Sequence, residues 1–114
     1  MSDCLFCKIV GGEIPADIVF QSDAAIAFRD INPQAPTHIL IIPRRHISTI
    51  NDVTDDDAPL VGSLFAAARE LAAQEGLADD GYRVVMNCGE GAGQSVFHIH
   101  LHLLGGRALN WPPG

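Results

Sequence analysis

The sequence is poor in positive charge. It holds 7 lysine and arginine residues against 14 aspartate and glutamate residues, which gives a formal net charge of −7. Nucleic-acid backbones and anionic membranes attract proteins largely through positive charge, so we expect neither as a partner. One small phosphorylated ligand is still compatible with this charge, because it needs only a few local hydrogen-bond donors.

Long hydrophobic runs are also missing. The longest wholly aliphatic run covers residues 39–42, whereas a membrane-spanning helix needs about 20 apolar residues. Residues 1–4 place no basic segment before an apolar stretch, so they predict no secretory signal and a cytoplasmic location. The length of 114 residues and the hydrophobic content of 47% predict one domain over residues 1–114, large enough to bury a core.

Cysteine is scarce, and three cysteines cannot all pair with one another. In a reducing compartment Cys4 and Cys7 are better interpreted as metal ligands or reduced thiols than as a disulfide. A Cys-x-x-Cys pair supplies two of the four ligands of a closed zinc site, and spacing alone does not identify the other two. Cys88 follows an apolar stretch and is predicted to be an inert buried thiol.

Hydrophobic patterning predicts an α+β domain in which a five-stranded antiparallel sheet is covered by one long helix. A short helical or irregular piece follows the cysteine pair. The apolar run at 38–42 favours a central strand that is buried on both faces. The strands are expected at residues 16–21, 24–30, 38–42, 82–88 and 96–104.

The long helix is expected over residues 55–75. A capping box at Thr54 and Asp57 marks its start, Pro59 is tolerated in the first turn, and Gly76 ends it. Its predicted apolar stripe contains Leu60, Val61, Leu64, Phe65, Ala68, Leu71 and Ala72.

The segment 96–104 reads Val-Phe-His-Ile-His-Leu-His-Leu-Leu. Its three histidines, His98, His100 and His102, fall on alternate residues, so a strand would place them on one face. The opposite, buried face would hold Phe97, Ile99, Leu101 and Leu103. Because imidazole is the side chain with a pKa nearest neutrality, this row indicates a reaction site.

Three interpretations compete for the histidines: a polar face without chemistry, a catalytic zinc site, and nucleophilic attack on phosphorus. The preceding loop favours the third. Glycines at 89, 91 and 93 allow close approach of backbone N–H groups to phosphate oxygens, and Gln94 and Ser95 add side-chain donors.

Residues 98–104 resemble the His-φ-His-φ-His-φ-φ signature of the histidine triad (HIT) nucleotide-binding proteins. Residues 28–38 are similar to the family's ribose-side segment, while residues 93–97 and 111–114 are similar to the Hint branch. The resemblance covers nearly the whole chain and implies a single HIT domain over residues 1–114 with a HIT-like fold.

The resemblance implies a purine nucleoside phosphoramidase, which hydrolyses the P–N bond of compounds such as adenosine 5′-phosphoramidate. His100 would be the nucleophile; a neutral imidazole is abundant near pH 7, and a carbonyl acceptor must fix its tautomer. Ser95 or His98 would relay a proton to the leaving amine, and His38 would sit behind the triad as an orienting residue.

The resemblance also implies a site for an AMP-like purine nucleotide. Asp30, beside Ile31, would accept the ribose hydroxyls, and His102, Asn87 and the backbone of residues 93–95 would hold the phosphoryl oxygens. The base would lie against Phe6, Ile9, Phe28 and Ile31. The nucleotide-binding set is therefore Asp30, Ile31, Asn87, Gly93, Gln94, Ser95, His100 and His102.

Some bacterial relatives complete the cysteine pair with two histidines, which here are His46 and His98. The resemblance thus implies a closed structural zinc site of Cys4, Cys7, His46 and His98, with no metal required for the chemistry. A zinc-bound His98 could not serve as a mobile proton donor, which would leave that role to Ser95.

The resemblance further implies a homodimer in which C-terminal residues, here Trp111, reach toward the partner's site. Three other functions stay open. The chain could be a dinucleoside polyphosphate hydrolase of the same superfamily, or a nucleotide-binding or protein-interaction module whose hydrolysis is incidental. A hydrolase with zinc bound by all three histidines is the last alternative.

Overall fold

Five strands form one antiparallel sheet in the computed structural model, which describes residues 3–114. In sheet order they are β1 (Ile18–Gln21), β2 (Ala25–Arg29), β3 (Thr37–Pro43), β5 (Leu101–Gly105) and β4 (Tyr82–Val85). A short helix α1 (Leu5–Val10) and a long helix α2 (Ala58–Gln74) complete the fold. The predicted fold class, α+β with a five-stranded antiparallel sheet, is confirmed.

Strand β3 lies at the centre of the sheet, as predicted, and every one of its residues is buried. Because side chains alternate along a strand, β3 serves two cores. Ile39 and Ile41 pack in the core that contains the buried side of α2, whereas Leu40 and Ile42 pack with Phe6 of α1. The sheet is thus covered by a helix on each face.

The histidine strand is shorter than predicted. Strand β5 begins at Leu101, so His98, which is part of a bend, and His100 lie in irregular backbone ahead of it. The reason is a change of partner, since the backbone N–H of Ile99 donates to the Ile47 carbonyl, beyond the end of β3. The alternation still holds from Ile99 to Leu103, whose apolar side chains are fully buried.

Two aromatic side chains expected to be buried are exposed. Phe97, at the start of the histidine segment, is 42% exposed, and Phe65, in the middle of α2, is 50% exposed. The buried face of α2 is instead formed by Leu64, Ala67, Ala68, Leu71 and Ala72. The predicted stripe therefore wrongly included Phe65 and missed Ala67, and its Leu60 and Val61 are half-buried.

The start of α2 also differs from the prediction. The capping box of Thr54 and Asp57 is present, but it opens a 3₁₀ turn (Asp55–Asp57), and the α-helix begins at Ala58. Asp57 accepts hydrogen bonds from the Thr54 backbone and from Arg45, which fixes its side chain at this turn. Gly76, with a φ of 74°, follows the end of the helix as expected.

The remaining differences concern strand ends and one thiol. Strands β1, β2 and β4 are shorter than the predicted ranges, and β4 ends at Val85. Cys88 is half-buried, so the prediction of a buried thiol is wrong. No helix within residues 3–114 has both the length and the apolar character needed to cross a membrane.

We predict that Gly105→Ala lowers the free energy of unfolding by about 1–3 kcal/mol, because overpacking a filled core is costly. A Cβ at this position would lie 2.6 Å from Cδ1 of Leu77, which is buried. Gly62→Ala is the matched control: this exposed glycine of α2 has open space at its Cβ position. It should raise the free energy of unfolding by about 0.5–1 kcal/mol. Urea unfolding measures both free energies. A Gly105→Ala protein as stable as the parent would contradict the predicted overpacking.

Candidate active site

A cleft of about 280 Å³ lies between α1 and the end of β2. Its walls are mostly apolar, with Phe6, Ile9, Phe28 and Leu40 among them, and this composition suits a flat heterocycle. The polar residues that line the cleft include Asp30, Ser95, His100 and His102.

His100 carries a fixed tautomer. Its Nδ1 lies 2.8 Å from the backbone oxygen of His98, and because a carbonyl only accepts, Nδ1 must hold the proton. The lone pair of the neutral ring is then on Nε2, and the ring lines the cleft. Burial lowers the pKa of His100 below its usual value of 6.5, although the His98 carbonyl and Asp30 partly oppose this effect. His100 is therefore uncharged at neutral pH.

His102 has the opposite tautomer, which is set through His38. The backbone N–H of Gln34 donates to Nδ1 of His38 at 3.0 Å, so the proton of neutral His38 is on Nε2. That nitrogen lies 2.9 Å from Nδ1 of His102 and donates to it. The proton of neutral His102 is consequently on Nε2. His38 was expected behind the triad as an orienting residue, and it contacts His102.

The charge states support these tautomers. Burial, followed by the nearby His100 and His38, lowers the pKa of His102 to about 4. Burial also lowers the pKa of His38, and the carboxylate of Asp30 opposes it. Three neighbouring imidazoles are therefore neutral at pH 7, and their hydrogen bonds have the directions described above.

Asp30 lies at the end of β2, with its side chain at the edge of the cleft. One carboxylate oxygen accepts from the backbone N–H of Asn32 at 2.8 Å, and the other lies 3.4 Å from Nε2 of His38. Ile31 also borders the cleft and is fully exposed. Both residues are therefore close enough to contact a ligand in the cleft.

The glycine-rich loop is tied to the protein by Gln94. Its side-chain oxygen accepts from Gly89, and its amide nitrogen donates to the carbonyls of Ser48 and Val96. Its backbone N–H donates to the Gly89 carbonyl. The expectation that Gln94 offers its side chain to phosphate is wrong, because that buried side chain is already fully engaged.

The other residues of the expected nucleotide set differ in position. Ser95 is exposed and lines the cleft. Gly93 has a φ of 92°, a left-handed conformation that suits glycine. Neither Gly93 nor the half-buried Asn87 is among the residues that line the cleft. The backbone N–H of Gly93 was expected at a phosphoryl oxygen, but it donates to the Glu90 carbonyl at 3.0 Å. The role of Asn87 remains a prediction.

Four predicted metal ligands come together at the start of α1. The ligand atoms of Cys4, Cys7, His46 and His98, here called the Cys₂His₂ cluster, all lie within 4.8 Å of one another. Nδ1 of His98 is 3.5 Å from each sulfur, and Nδ1 of His46 is 3.3 Å from that of Cys7. A tetrahedral zinc site separates its sulfur and nitrogen ligands by about 3.5 Å. The residues therefore fit the metal.

His98 is oriented for the cluster and not for the cleft. Its Nε2 donates to the Pro43 carbonyl at 2.7 Å, so the lone pair of the neutral ring is on Nδ1, which faces the sulfurs. The side chain is fully buried and does not line the cleft. The alternative that His98 protonates the leaving amine is therefore wrong, because neither ring nitrogen reaches the cleft.

The zinc site of three triad histidines is also contradicted. Within residues 3–114, no group of potential ligands joins His98 with His100 and His102. The Nδ1 atom of His100 is bonded to a carbonyl, while that of His98 faces two thiols. The three side chains have three different sets of contacts.

The sequence analysis predicted that a carbonyl would fix the tautomer of His100, but it did not identify which main-chain groups set the three tautomers. The carbonyls of Pro43 and His98 and the N–H of Gln34 each bind one imidazole nitrogen. The sequence offers one signal, since Gln34 lies in a turn between Pro33 and Pro36 that directly precedes β3. Nothing in residue types indicates where a backbone N–H points.

The chain is similar to known proteins of one family. A family model described as HIT domain matches residues 11–109. The chain is 54% identical over 107 residues to the purine nucleoside phosphoramidase of Escherichia coli strain K12, which covers 94% of this chain and 90% of that protein.

Two solved structures share the fold over nearly the whole chain. A HIT family hydrolase from Legionella pneumophila Philadelphia 1 has a TM-score of 0.97 and 61% identity, with 98% of this chain and 100% of that chain covered. A histidine triad protein from Clostridium difficile has a TM-score of 0.93 and 40% identity, with 96% of each chain covered. The chain belongs to the HIT domain family.

Proposed function

We propose that the protein is a purine nucleoside phosphoramidase of the Hint branch, which hydrolyses the P–N bond of adenosine 5′-phosphoramidate and related compounds. A covalent nucleotidyl-histidine forms on His100. The observation that carries the proposal is the hydrogen bond from Nδ1 of His100 to the His98 carbonyl, because it presents Nε2 as a nucleophile at the cleft. The identity to a relative named purine nucleoside phosphoramidase supports the choice of reaction.

The substrate binds with its purine base against the apolar walls of the cleft, formed by Phe6, Ile9 and Phe28. Asp30 accepts hydrogen bonds from the ribose hydroxyls, since its carboxylate lines the cleft and keeps accepting capacity beside the Asn32 N–H and Nε2 of His38. Asp30 and His102 both lie beside His38, and His100 lies beside His102, so this placement brings the 5′-phosphorus toward His100 and His102.

In the first step, the Nε2 lone pair of His100 attacks phosphorus and the P–N bond breaks. The His100 ring becomes a cation whose Nδ1–H is held by the His98 carbonyl. The amine leaves with a proton from the Ser95 hydroxyl, which solvent replaces because Ser95 is exposed. Nε2–H of His102 donates to a phosphoryl oxygen, where negative charge develops.

In the second step, water attacks the same phosphorus and the bond to His100 breaks. One proton of the water returns to solvent, AMP is released, and the imidazole is again neutral. The neutral imidazole is a good leaving group, because burial lowers the pKa of His100 and so disfavours the positively charged nucleotidyl-imidazole from which it departs.

The charges in the cleft favour this substrate over dinucleoside polyphosphates. Among the described residues that line it, Arg29 is the one cation, and its guanidinium donates to both carboxylate oxygens of Glu75 at 3.0 Å. Asp17 and Asp30 are acidic. A chain of phosphates carries several negative charges and finds no available cation here, whereas a phosphoramidate carries a single negative charge.

The Cys₂His₂ cluster is proposed to hold a structural zinc ion, with no metal required for the chemistry. Four protein ligands leave no open position for water, and the metal would supply cross-links between α1, His46 and the histidine segment. The Pro43 carbonyl orients His98 for this role, an arrangement typical of metal-bound histidine.

We also propose a single HIT domain over residues 1–114, a cytoplasmic location and a homodimer. Reduced thiols in the Cys₂His₂ cluster suit a reducing compartment. Trp111 is 82% exposed in a C-terminal tail whose backbone carbonyls at Leu109 and Asn110 accept from Arg83 of β4. A large aromatic side chain on an anchored tail is suited to docking on a second copy of the chain.

Replacement of His100 tests the reaction class. We expect His100→Gly to lower P–N cleavage of adenosine 5′-phosphoramidate by at least about a thousandfold, since the nucleophile is lost. Intact-protein mass spectrometry of the quenched parent enzyme should show a nucleotidyl adduct that maps to His100. The Gly62→Ala protein serves as the folded control and should form the same adduct. Undiminished cleavage by the His100→Gly protein would contradict the mechanism. Faster turnover of diadenosine polyphosphates than of adenosine 5′-phosphoramidate by the parent enzyme would favour the polyphosphate hydrolase.

The pH profile tests the charge state of His100. Attack needs the neutral ring, whose pKa lies below 6.5 because of burial. We therefore expect kcat/KM to rise with pH below 6.5 and to level off by pH 7, after subtraction of the uncatalysed acid hydrolysis of the P–N bond. AMP binding over the same range separates recognition from chemistry. A half-maximal rate above pH 7 would be inconsistent with a depressed imidazole pKa.

Loss of a cysteine ligand tests the structural role of the metal. We expect Cys4→Ser to lower bound zinc below one equivalent and to lower Tm by several degrees, since metal binding free energy is also folding free energy. The value of kcat at saturating substrate should be largely kept. Cys88→Ser is the matched control and should keep its zinc, because Cys88 lies outside the cluster. A Cys4→Ser protein that retains zinc but loses turnover would show that the thiol acts in the chemistry.

A further inference from the structure

Helix α1 belongs to two sites at once. Its N-cap is Cys4, whose thiol accepts from the backbone N–H of Cys7, and both thiols are part of the Cys₂His₂ cluster. Phe6 and Ile9 on the same helix form one wall of the cleft. Six residues are too few for a helix to be stable by itself, so the position of α1 depends on its attachments.

Phe6 is the part of α1 that touches the reacting imidazole. It is 4% exposed, and its ring centroid lies 5.0 Å from that of His100 at an interplanar angle of 85°. It makes similar edge-to-face contacts with Phe28 at 5.5 Å and with His98 at 6.0 Å. Such contacts have a preferred geometry, so a shift of α1 changes the space open to the His100 ring.

A second connection runs through the backbone. The side chain of His98 belongs to the cluster, while its carbonyl accepts the proton on Nδ1 of His100. The cluster therefore reaches the proposed nucleophile by two routes, one through Phe6 and one through His98. Each route is a direct contact between adjacent groups.

We propose that the Cys₂His₂ cluster and the nucleotide cleft are coupled, so that a divalent metal ion such as Zn²⁺ in the cluster tightens the binding of a purine nucleoside monophosphate. Phe6 is the positioning residue that carries most of the coupling. The proposal rests on the nucleotide site described under the proposed function, and it adds metal dependence of affinity to a reaction that needs no metal.

The physical basis is conformational freedom. A metal bound by residues from α1, by His46 and by His98 joins three segments that are distant in sequence, which fixes one wall of the cleft before the nucleotide arrives. Because α1 is already ordered, the nucleotide binds without the full free-energy cost of ordering it. By linkage, the nucleotide must tighten metal binding by the same factor.

The test is a thermodynamic cycle of four binding affinities, measured by calorimetry on the full chain. AMP is titrated into metal-free and zinc-loaded protein, and zinc is titrated in a competing chelator with and without saturating AMP. We expect AMP to bind about tenfold more tightly to the zinc-loaded form, with the same factor for zinc. Equal AMP affinity in the two forms would overturn the coupling.

The Phe6→Leu variant tests whether the coupling runs through Phe6. This variant should bind zinc as the parent does, because the ligands are intact, while the coupling factor falls below about threefold. Phe65→Leu is the matched control on the exposed side of α2 and should keep the full factor. The ¹⁵N imidazole signals of His100 should shift on zinc addition in the parent and in Phe65→Leu, but much less in Phe6→Leu. A full coupling factor in Phe6→Leu would overturn the role of Phe6.

The outcomes separate this inference from the proposed function. If the protein cleaves the P–N bond but binds AMP equally in its metal-free and zinc-loaded forms, the proposed function stands and the coupling is contradicted. A tenfold coupling without P–N cleavage would support the coupling and contradict the reaction. Failure of AMP to bind either form would overturn both.

Discussion

The hydrogen bond between Nδ1 of His100 and the His98 carbonyl is the constraint on which the site depends. A carbonyl accepts and never donates, so it decides which nitrogen of His100 keeps the proton. His102 has the opposite tautomer, because His38 donates to its Nδ1 and the proton of His102 is therefore on Nε2. One imidazole therefore presents a lone pair to the cleft and its neighbour presents an N–H. In the proposed reaction, the nucleophile and the donor to the phosphoryl oxygen are thus the same residue type.

Burial makes this arrangement stable at neutral pH. A protonated imidazole has no acceptor nitrogen, so the hydrogen bond from His38 to His102 exists only while His102 is neutral. The pKa of His102 is about 4, because the half-buried ring is partly removed from water and lies beside two other imidazoles. The sheet supplies the burial, since His102 on β5 is paired with Leu40 of β3 on one side and Val85 of β4 on the other. The packing of the sheet therefore keeps His102 neutral, and the neutral ring can accept the hydrogen bond that fixes its tautomer.

The sheet, the long helix and the row of three histidines could be predicted from the sequence, because periodicity and spacing are local properties. Most other residues of both candidate sites were predicted from the resemblance to the HIT family. The sequence did not predict that β5 begins at Leu101, since that depends on the path of the loop that brings the Ile47 carbonyl to Ile99. It also assigned Gln94 to phosphate, whereas a buried amide is used by Gly89, Ser48 and Val96. Residue types show which side chains can donate, but only the tertiary structure shows which donors are already engaged.

The absence of an available cation among the described residues of the cleft has a consequence for turnover. In the proposed reaction, the substrate carries one negative charge on its phosphoryl group and the product AMP carries nearly two at neutral pH. Neutral donors such as the imidazole N–H of His102 and the hydroxyl of Ser95 bind both species, but they add little extra attraction for the second charge. A lysine or arginine at this position would bind the product more tightly than the substrate and slow its release. Recognition of phosphate by neutral donors therefore suits an enzyme that must release AMP, and it agrees with the net charge of −7.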